Sequence, residues 1–405
     1  MKVFISGYGM VSSLGPSVNS TFGALIEGKS AIKVIEPWKE LVGLNCFLGA
    51  PAVEYNKMII PRTARRTMSP MSEMATIAAQ QALEMAQLEI DQLNFNRSQL
   101  LVGSTTGSPF AMHEYFEKLS VNKGPLGQSG TLFFKVMNHS VVANVAGALG
   151  FNGAVVGPSS ACASSAQSLI LGWELIQSGL YDVAICGGAD ELHYLSVAIF
   201  DTVYAASRNF NSTPELTPRP FDKKRDGLVV SEGASIVILE SERHLNQRQG
   251  KSFGEFCSGA YLCESSHMSQ NNELQMRNVM NETLKRSQLS IDDIGYVSAH
   301  ATGTLQGDAQ EAQAIAGIFG DRVPVSSLKG HLGHSMAACG AGELILGLKM
   351  MNEGVLIGTR NLDEVAEECS GIQHLKENKK IKVDTMLSNN FAFGGINTSM
   401  ILRRM

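Results

Sequence analysis

Short apolar runs ending in Gly or Ser recur along this chain, and each is followed by a longer stretch with helical spacing. The strand candidates of the first half are residues 2–9, 100–107, 153–161, 182–190 and 234–241, with helices expected at 70–87 and 164–179. The second half repeats the pattern more briefly. A strand at 253–264 precedes a polar helix at 271–287, then IGYVSAHATG, helix 309–320, VPVSSLKG, the AGELILGLKMMNEG helix, and closing strands at 384–395 and 397–404. Such alternation predicts an α/β fold with mostly parallel sheets covered by helices. The 405 residues exceed what one core usually supports, so two related units are expected, 1–245 and 252–405. Residues 191–233 read as a long loop insertion. Residues 108–140 read as a second, irregular insertion suited to an oligomer contact.

With 44% hydrophobic and 18% charged residues, the chain buries a large core and does not have the composition of a disordered segment. A formal net charge of −5 argues against binding nucleic acid by phosphate neutralisation. The seven cysteines carry no CxxC or other metal-ligand spacing, so reduced thiols in a cytoplasmic setting are expected. The opening MKVFISGYGMVSSLG is broken by Gly7 and Gly9 and reads as a first strand leading into a glycine turn, not as a signal peptide. No stretch approaches the ~20 apolar residues of a membrane span.

In VVGPSSACASSAQSLILGWELI, Cys162 stands between an apolar strand and an amphipathic helix, within a run of small residues that permits a sharp turn. Backbone N–H groups and the helix dipole at such a turn favour the thiolate, the form that attacks carbonyls. His300 ends an apolar strand in VSAHATGT, and Lys329, His331 and His334 follow another in VSSLKGHLGHSMAACGAGE. Histidines at strand ends can stand in a cleft at the carboxyl edge of a sheet. Spacing alone does not say which of His331 and His334 points inward. No HExxH pattern supports a metal centre, and none is expected.

The chain resembles the β-ketoacyl synthases of type II fatty acid and polyketide synthesis, a branch of the thiolase superfamily, from SGYGMVSSLG to NNFAFGGIN. The markers are SSACASSAQ, RPFDKKRDGLVVSEGA, AHATGTLQGDAQEAQA, SSLKGHLGHSMAACGAGE and NNFAFGGIN, in the right order. The resemblance implies a thiolase-like fold of two related halves layered helix/sheet/helix/sheet/helix. It makes Cys162 the nucleophile, completed by His300 and His334, with His331 a bystander. Lys329 matches an active-site lysine set to tune His334, and Glu343 matches its acidic partner. Phe393 matches a gating residue whose backbone N–H joins that of Cys162 in an oxyanion hole. Asp308 and Glu311 match supporting acids, and Thr302 and Thr304 match the substrate-binding turn behind His300.

The implied reaction is decarboxylative condensation of a malonyl thioester with an acyl group on Cys162. An acyl carrier protein would deliver both on phosphopantetheine, so the chain itself need hold no cofactor tightly. Arg62, Arg65 and Arg66 match a surface that receives this acidic carrier, although three arginines on one turn also suit a solvated helix face. Related enzymes are dimers, so a homodimer or a heterodimer with a chain-length factor is implied. Pocket depth is expected to depend on Thr106, Met137 and Phe210. Segment 190–209 is similar to synthases of bacterial aryl polyene pathways. Departures from the common pattern are Ala301, Gly330 with His331, and Ala392, and none removes a catalytic side chain. A degradative thiolase would need a second cysteine near NNFAFGGIN. A non-catalytic chain-length factor would usually lack the nucleophile, and a hydrolase would show GxSxG.

Overall fold

The computed structural model describes residues 1–265 and 272–405. The strands of the main sheet are β1 Val3–Val11, β2 Ser98–Gly103, β3 Ala154–Val156, β4 Val183–Asp190, β5 Gly233–Ser241, β6 Gly254–Cys263, β7 Tyr296–Ser298, β8 Pro324–Ser326, β9 Gln373–His374, β10 Thr385–Phe391 and β11 Ile396–Arg404. The helices that matter here are α1 Pro70–Ala86, α2 Pro109–Asn122, α3 Gly130–Val136, α4 Ser140–Leu149, α5 Ser164–Gln177, α6 Tyr194–Thr202, α7 Glu273–Ser287, α8 Leu305–Phe319 and α9 Cys339–Glu353.

The strand order is β9-β8-β7-β10-β11-β6-β1-β5-β4-β2-β3. Numbered within each half, both halves read third, second, fourth, fifth, first, with an extra edge strand β9 on the second. Their first strands, β1 and β6, pair antiparallel at the centre through Phe4 with Glu255 and Ile5 with Gly254. The pairing senses also repeat, two antiparallel and then two parallel in each half. Each half is therefore a mixed sheet and not the mostly parallel one expected. In the second half the cause is plain, because the four residues between β10 and β11 are too few for a crossover.

Helices α5 and α9 lie between the two half-sheets and share one core with β1, β5 and β11. On the outer face of the first half, α1 and α4 cover β1, β2 and β5. On the outer face of the second, α7 and α8 cover β6 and β11 and their neighbours. The result is the expected five-layer, thiolase-like order. Burial on both faces explains why these strands read as continuous apolar runs without alternation.

Local structure departs from the sequence reading in a few places. Gly7 and Gly9 lie inside β1 and not in a turn. A Cβ at Gly9 would lie 2.1 Å from the carbonyl oxygen of Ala78, and one at Gly7 2.2 Å from that of Ala82, so glycine is what lets α1 rest directly on the strand. The supposedly irregular 108–140 holds α2 and α3, started by Ser108, whose side chain accepts from the N–H of Ala111. The 191–233 loop contains α6, capped by the His193 side chain. The helices expected at 309 and 341 begin earlier, at Leu305 and Cys339. Residue 271, the expected start of the polar helix, lies outside the described residues, and α7 runs from Glu273. No single helix among the described residues is long and apolar enough to cross a membrane.

Candidate active site

Two equivalent turns, one from each half, bring the site together. After β3 the chain makes a tight turn at Ala161–Ala163 and enters α5; after β8 it makes the same turn at Met336–Ala338 and enters α9. In both turns the first residue is left-handed, Ala161 at φ 47° and Met336 at φ 45°. A non-glycine residue pays about 1–2 kcal/mol for that conformation. Hydrogen bonds hold the first turn: Ser164 Oγ accepts from the N–H of Ser160 at 2.9 Å and donates to the carbonyl of Ala161 at 2.7 Å. The second is held by the buried Asp190, whose Oδ2 accepts from the N–H of Ala337 at 2.8 Å. Cys162 rides on the first turn, and His334 stands two residues before the second.

Cys162 Sγ lies 3.0 Å from His334 Nε2. The rings of His300 and His334 meet edge to face with centroids 5.2 Å apart. One donor atom from each of the three side chains lies within 4.8 Å of the others. His300 follows β7, and its loop is held from behind by acids of α8. Glu311 accepts from the N–H groups of His300 and Ala301 at 2.8 and 2.7 Å, and Asp308 from those of Thr302 and Gly303. Arg225, from the RPFDKKRDG segment, donates to the carbonyls of Thr304 and Leu305.

Lys329 forms a buried ion pair with Glu343 of α9. Its Nζ contacts His300 Nδ1 at 3.3 Å, so its direct neighbour is His300 and not His334 as expected from sequence. The reason is topological. Lys329 begins the single helical turn after β8, beside β7 and the residue that follows it, whereas His334 is carried one turn further. Asn390 of β10 donates from Nδ2 to Glu343 at 2.9 Å and lies 3.5 Å from His300 Nδ1.

Burial dominates the electrostatics. It pushes the Cys162 thiol up to about 12, against the lowering effects of Lys329 and of the backbone N–H groups of Cys162 and Phe393. Burial thus opposes the thiolate expected from the helix start. Burial, with Lys329 beside them, also holds His300 and His334 well below the usual histidine range, so both rings are neutral at pH 7. Lys329 keeps its charge: burial opposes it, but the adjoining Glu343 raises its pKa.

The three side chains open onto a cavity of about 270 Å³ whose lining includes Phe200, Tyr204, Thr302, Thr304, Leu305 and Phe393. Phe393 packs on Phe200 with ring centroids 5.5 Å apart. His331 lies elsewhere, its ring nitrogens facing the carbonyls of Lys29 and Gly358. Thr106, Met137 and Phe210 do not line this cavity, a correction to the expected pocket residues. Phe210 instead packs near the Arg219 guanidinium. Nor does the cavity lining include Arg62, Arg65 or Arg66. Arg62 and Arg66 are exposed on and just after one short helical turn, and Arg65 Nε bonds the carbonyl of Ile60. Sequence reasoning missed Asn390 and Cys339, whose thiol donates to the carbonyl of Cys162 at 3.4 Å. Their only sequence signal is that they sit inside NNFAFGGIN and SSLKGHLGHSMAACGAGE.

Sequence and fold both match known proteins over the length of the chain. Residues 1–244 match the model of the beta-ketoacyl synthase N-terminal domain, and 257–363 that of its C-terminal domain. The chain is 32% identical to 3-oxoacyl-[acyl-carrier-protein] synthase 1 of Haemophilus influenzae, covering 100% of this chain and 99% of that protein. A crystal structure of a beta-ketoacyl synthase from Burkholderia phymatum superposes with a TM-score of 0.95 at 36% identity, covering 100% of this chain and 99% of that one. The ishigamide ketosynthase/chain length factor gives 0.93 at 25% identity, with the same coverage. Fold and comparisons together define a condensing enzyme of the acyltransferase class. The chain belongs to the β-ketoacyl synthase family.

Proposed function

We propose that Cys162 carries the acyl chain and that His300 and His334 drive decarboxylative condensation with a malonyl thioester, in fatty acid or polyketide synthesis. The observation that carries this reading is the convergence of one thiol and two neutral imidazoles on one buried cavity. Residues 1–245 supply the nucleophile and 252–405 the histidines. The thiol is protonated at rest, so acylation begins with transfer of its proton to His334 Nε2 as Sγ attacks the thioester carbonyl. The N–H groups of Cys162 and Phe393 take up the oxyanion charge, and the departing carrier thiolate recovers the proton. Malonyl thioester enters next, past Thr302 and Thr304. Loss of CO2 puts negative charge on its thioester oxygen, which the Nε2–H of His300 stabilises, joined by that of His334 once its ring has moved its proton from Nδ1 to Nε2. The enolate carbon then attacks the acyl–Cys162 carbonyl, releasing a β-ketoacyl thioester and the Cys162 thiolate, which takes a proton from solvent water to restore the thiol. Lys329 and Glu343 hold His300 in place.

Substrates arrive on the phosphopantetheine of an acyl carrier protein, with Arg62, Arg65 and Arg66 steering its acidic surface. A second subunit is part of the proposal, either another copy or a chain-length factor. Val155 and Val156 lie on the edge strand β3 and are 41% and 39% exposed, beside an unpaired ladder. Phe116, Phe133 and Phe134 of α2 and α3 add exposed apolar surface. For the acyl group we favour a flat, unsaturated, aryl-primed chain, because α6, within the segment that resembles aryl polyene synthases, leads into the aromatic rim of Phe200 and Tyr204.

The test is intact-protein mass spectrometry of wild type and Cys162→Ala mixed with acyl- and malonyl-carrier proteins. Acylation of wild type only, followed by a β-ketoacyl product on the carrier, is expected. No adduct with any carrier-bound primer, even with a co-purified partner present, would overturn the assignment of the nucleophile.

A further inference from the structure

His300 Nδ1 is approached by two donors, the Lys329 ammonium at 3.3 Å and the Asn390 amide nitrogen at 3.5 Å. The orientation of that amide is fixed from the other side. Its Nδ2 lies 2.9 Å from Glu343 Oε2, leaving its second hydrogen to His300 Nδ1 and to Cys339 Sγ, which is also 3.5 Å away, and a flipped amide would set its oxygen against a carboxylate oxygen. Asn390 Oδ1 then points toward Gly340, where a Cβ would lie 2.9 Å away, so the missing side chain there makes room for it. Asn390 is fully buried on β10, and its backbone carbonyl is bonded by Thr398 Oγ1 at 2.8 Å.

We infer that Asn390 is a positioning residue that, with Lys329, fixes the tautomer of His300. Two donors at Nδ1 leave no place there for a proton, so the neutral ring carries its hydrogen on Nε2, the nitrogen free to face the cavity. That is the tautomer able to donate to the enolate oxygen formed when CO2 leaves. Lys329 alone would also favour it, but an ammonium on a flexible stem sets charge rather than direction. The rigid amide, braced on Glu343, holds the ammonium, carboxylate and ring in one arrangement. Asn390 touches no substrate in this scheme and acts only through His300.

The inference rests on the proposed condensation, and its test separates the two. Asn390→Asp replaces the donor by an acceptor at Nδ1. Nitrogen-15 NMR of histidine-labelled protein, with His300 assigned from His300→Ala, is expected to show the proton on Nε2 in wild type and shifted toward Nδ1 in Asn390→Asp, where the new carboxylate competes with the Lys329 ammonium. Malonyl-carrier decarboxylation should fall by about 10²-fold or more, toward the loss that a wrong tautomer causes in a catalytic triad, while acyl transfer to Cys162 falls far less. Should the aspartate variant not fold, Asn390→Ser is the second arm, with decarboxylation again falling further than acyl transfer. A wild-type ring protonated on Nδ1, an unchanged tautomer in Asn390→Asp, or equal losses in both half-reactions would overturn the inference. A wild type that shows the Nε2 proton but never decarboxylates malonyl carrier would overturn the proposed function instead.

Discussion

Replacing Lys329 by Met is the sharpest perturbation of this site, because it leaves Glu343 buried with its cation removed. The side chains of Lys329 and Glu343 are 1% and 5% exposed, so water cannot take the place of the ammonium. Breaking one partner of such a pair costs about 3–5 kcal/mol. Asn390 still donates to Glu343, which sets the expectation near the lower figure. The charge itself is the source of the loss, so Lys329→Met/Glu343→Gln should recover about half of it, whereas independent effects would add. Linkage fixes the pH dependence. An orphaned buried carboxyl has a folded-state pKa above its unfolded value of about 4.5, so the variant's deficit grows as pH rises above that value and shrinks toward it. The slope is at most about 1.4 kcal/mol per pH unit. Urea titrations of wild type, both single variants and the double variant at pH 5.5 and 8 give the cycle. A double variant less stable than Lys329→Met, or a deficit independent of pH, would refute the reasoning.

Four further outcomes follow from the same structure. His300 and His334 are held neutral well below the usual histidine range, so the acid limb of malonyl decarboxylation should lie below pH 6.5, and a limb at or above 6.5 in a pH–rate profile would contradict this. The unfolded chain gains protons on these two histidines before the folded one does, so they take stability away as pH falls below about 6.5, which urea midpoints would register. Glu311→Gln keeps one acceptor oxygen where the carboxyl has two, turning an N–H₂ toward the backbone N–H of His300 or Ala301; a loss of about 1–3 kcal/mol in urea, with reduced decarboxylation, is expected. Gly9→Ala drives a methyl to 2.1 Å from the carbonyl of Ala78 and should cost at least about 1–3 kcal/mol by the same titration, because α1 must lift off β1.

Cys162 and His300 were legible in the sequence because each follows an apolar strand in a turn of distinctive composition, whereas His334 was told from His331 only by the family resemblance; the structure brings all three to one cavity. The α/β alternation was legible for a related reason, since strands buried on both faces leave continuous apolar runs, while the five-layer order came from the family resemblance. Pairing sense was less so. Nothing in the composition of β10 and β11 marks them as antiparallel, and only the brevity of Ala392–Gly395 betrays the hairpin. The contact between Lys329 and His300 was hidden because it joins residues 29 positions apart through the pairing of β7 with β8. Asn390 was hidden in the same way, as one polar residue in a strand whose neighbours are also polar.

The largest misreading concerned the thiol, and its cause explains how the site is built. A cysteine at a helix start reads as a thiolate if only the helix is considered. Here the starts of both α5 and α9 are buried between the two half-sheets, and burial raises the thiol against the lowering effects of backbone N–H groups and lysine together. The resting pair is therefore a neutral thiol against a neutral imidazole, 3.0 Å apart. Such a pair spends no charge until a thioester carbonyl arrives beside the N–H groups of Cys162 and Phe393, where the charge of attack can be received. The same desolvation that holds the thiol protonated keeps both histidines neutral. An imidazolium would have to gain its proton next to the Lys329 ammonium, and a metal cation would meet the same field. One buried lysine, neutralised by Glu343 on its far side, thus suits the cavity to developing negative charge, which is what both the oxyanion of acyl transfer and the enolate of decarboxylation present.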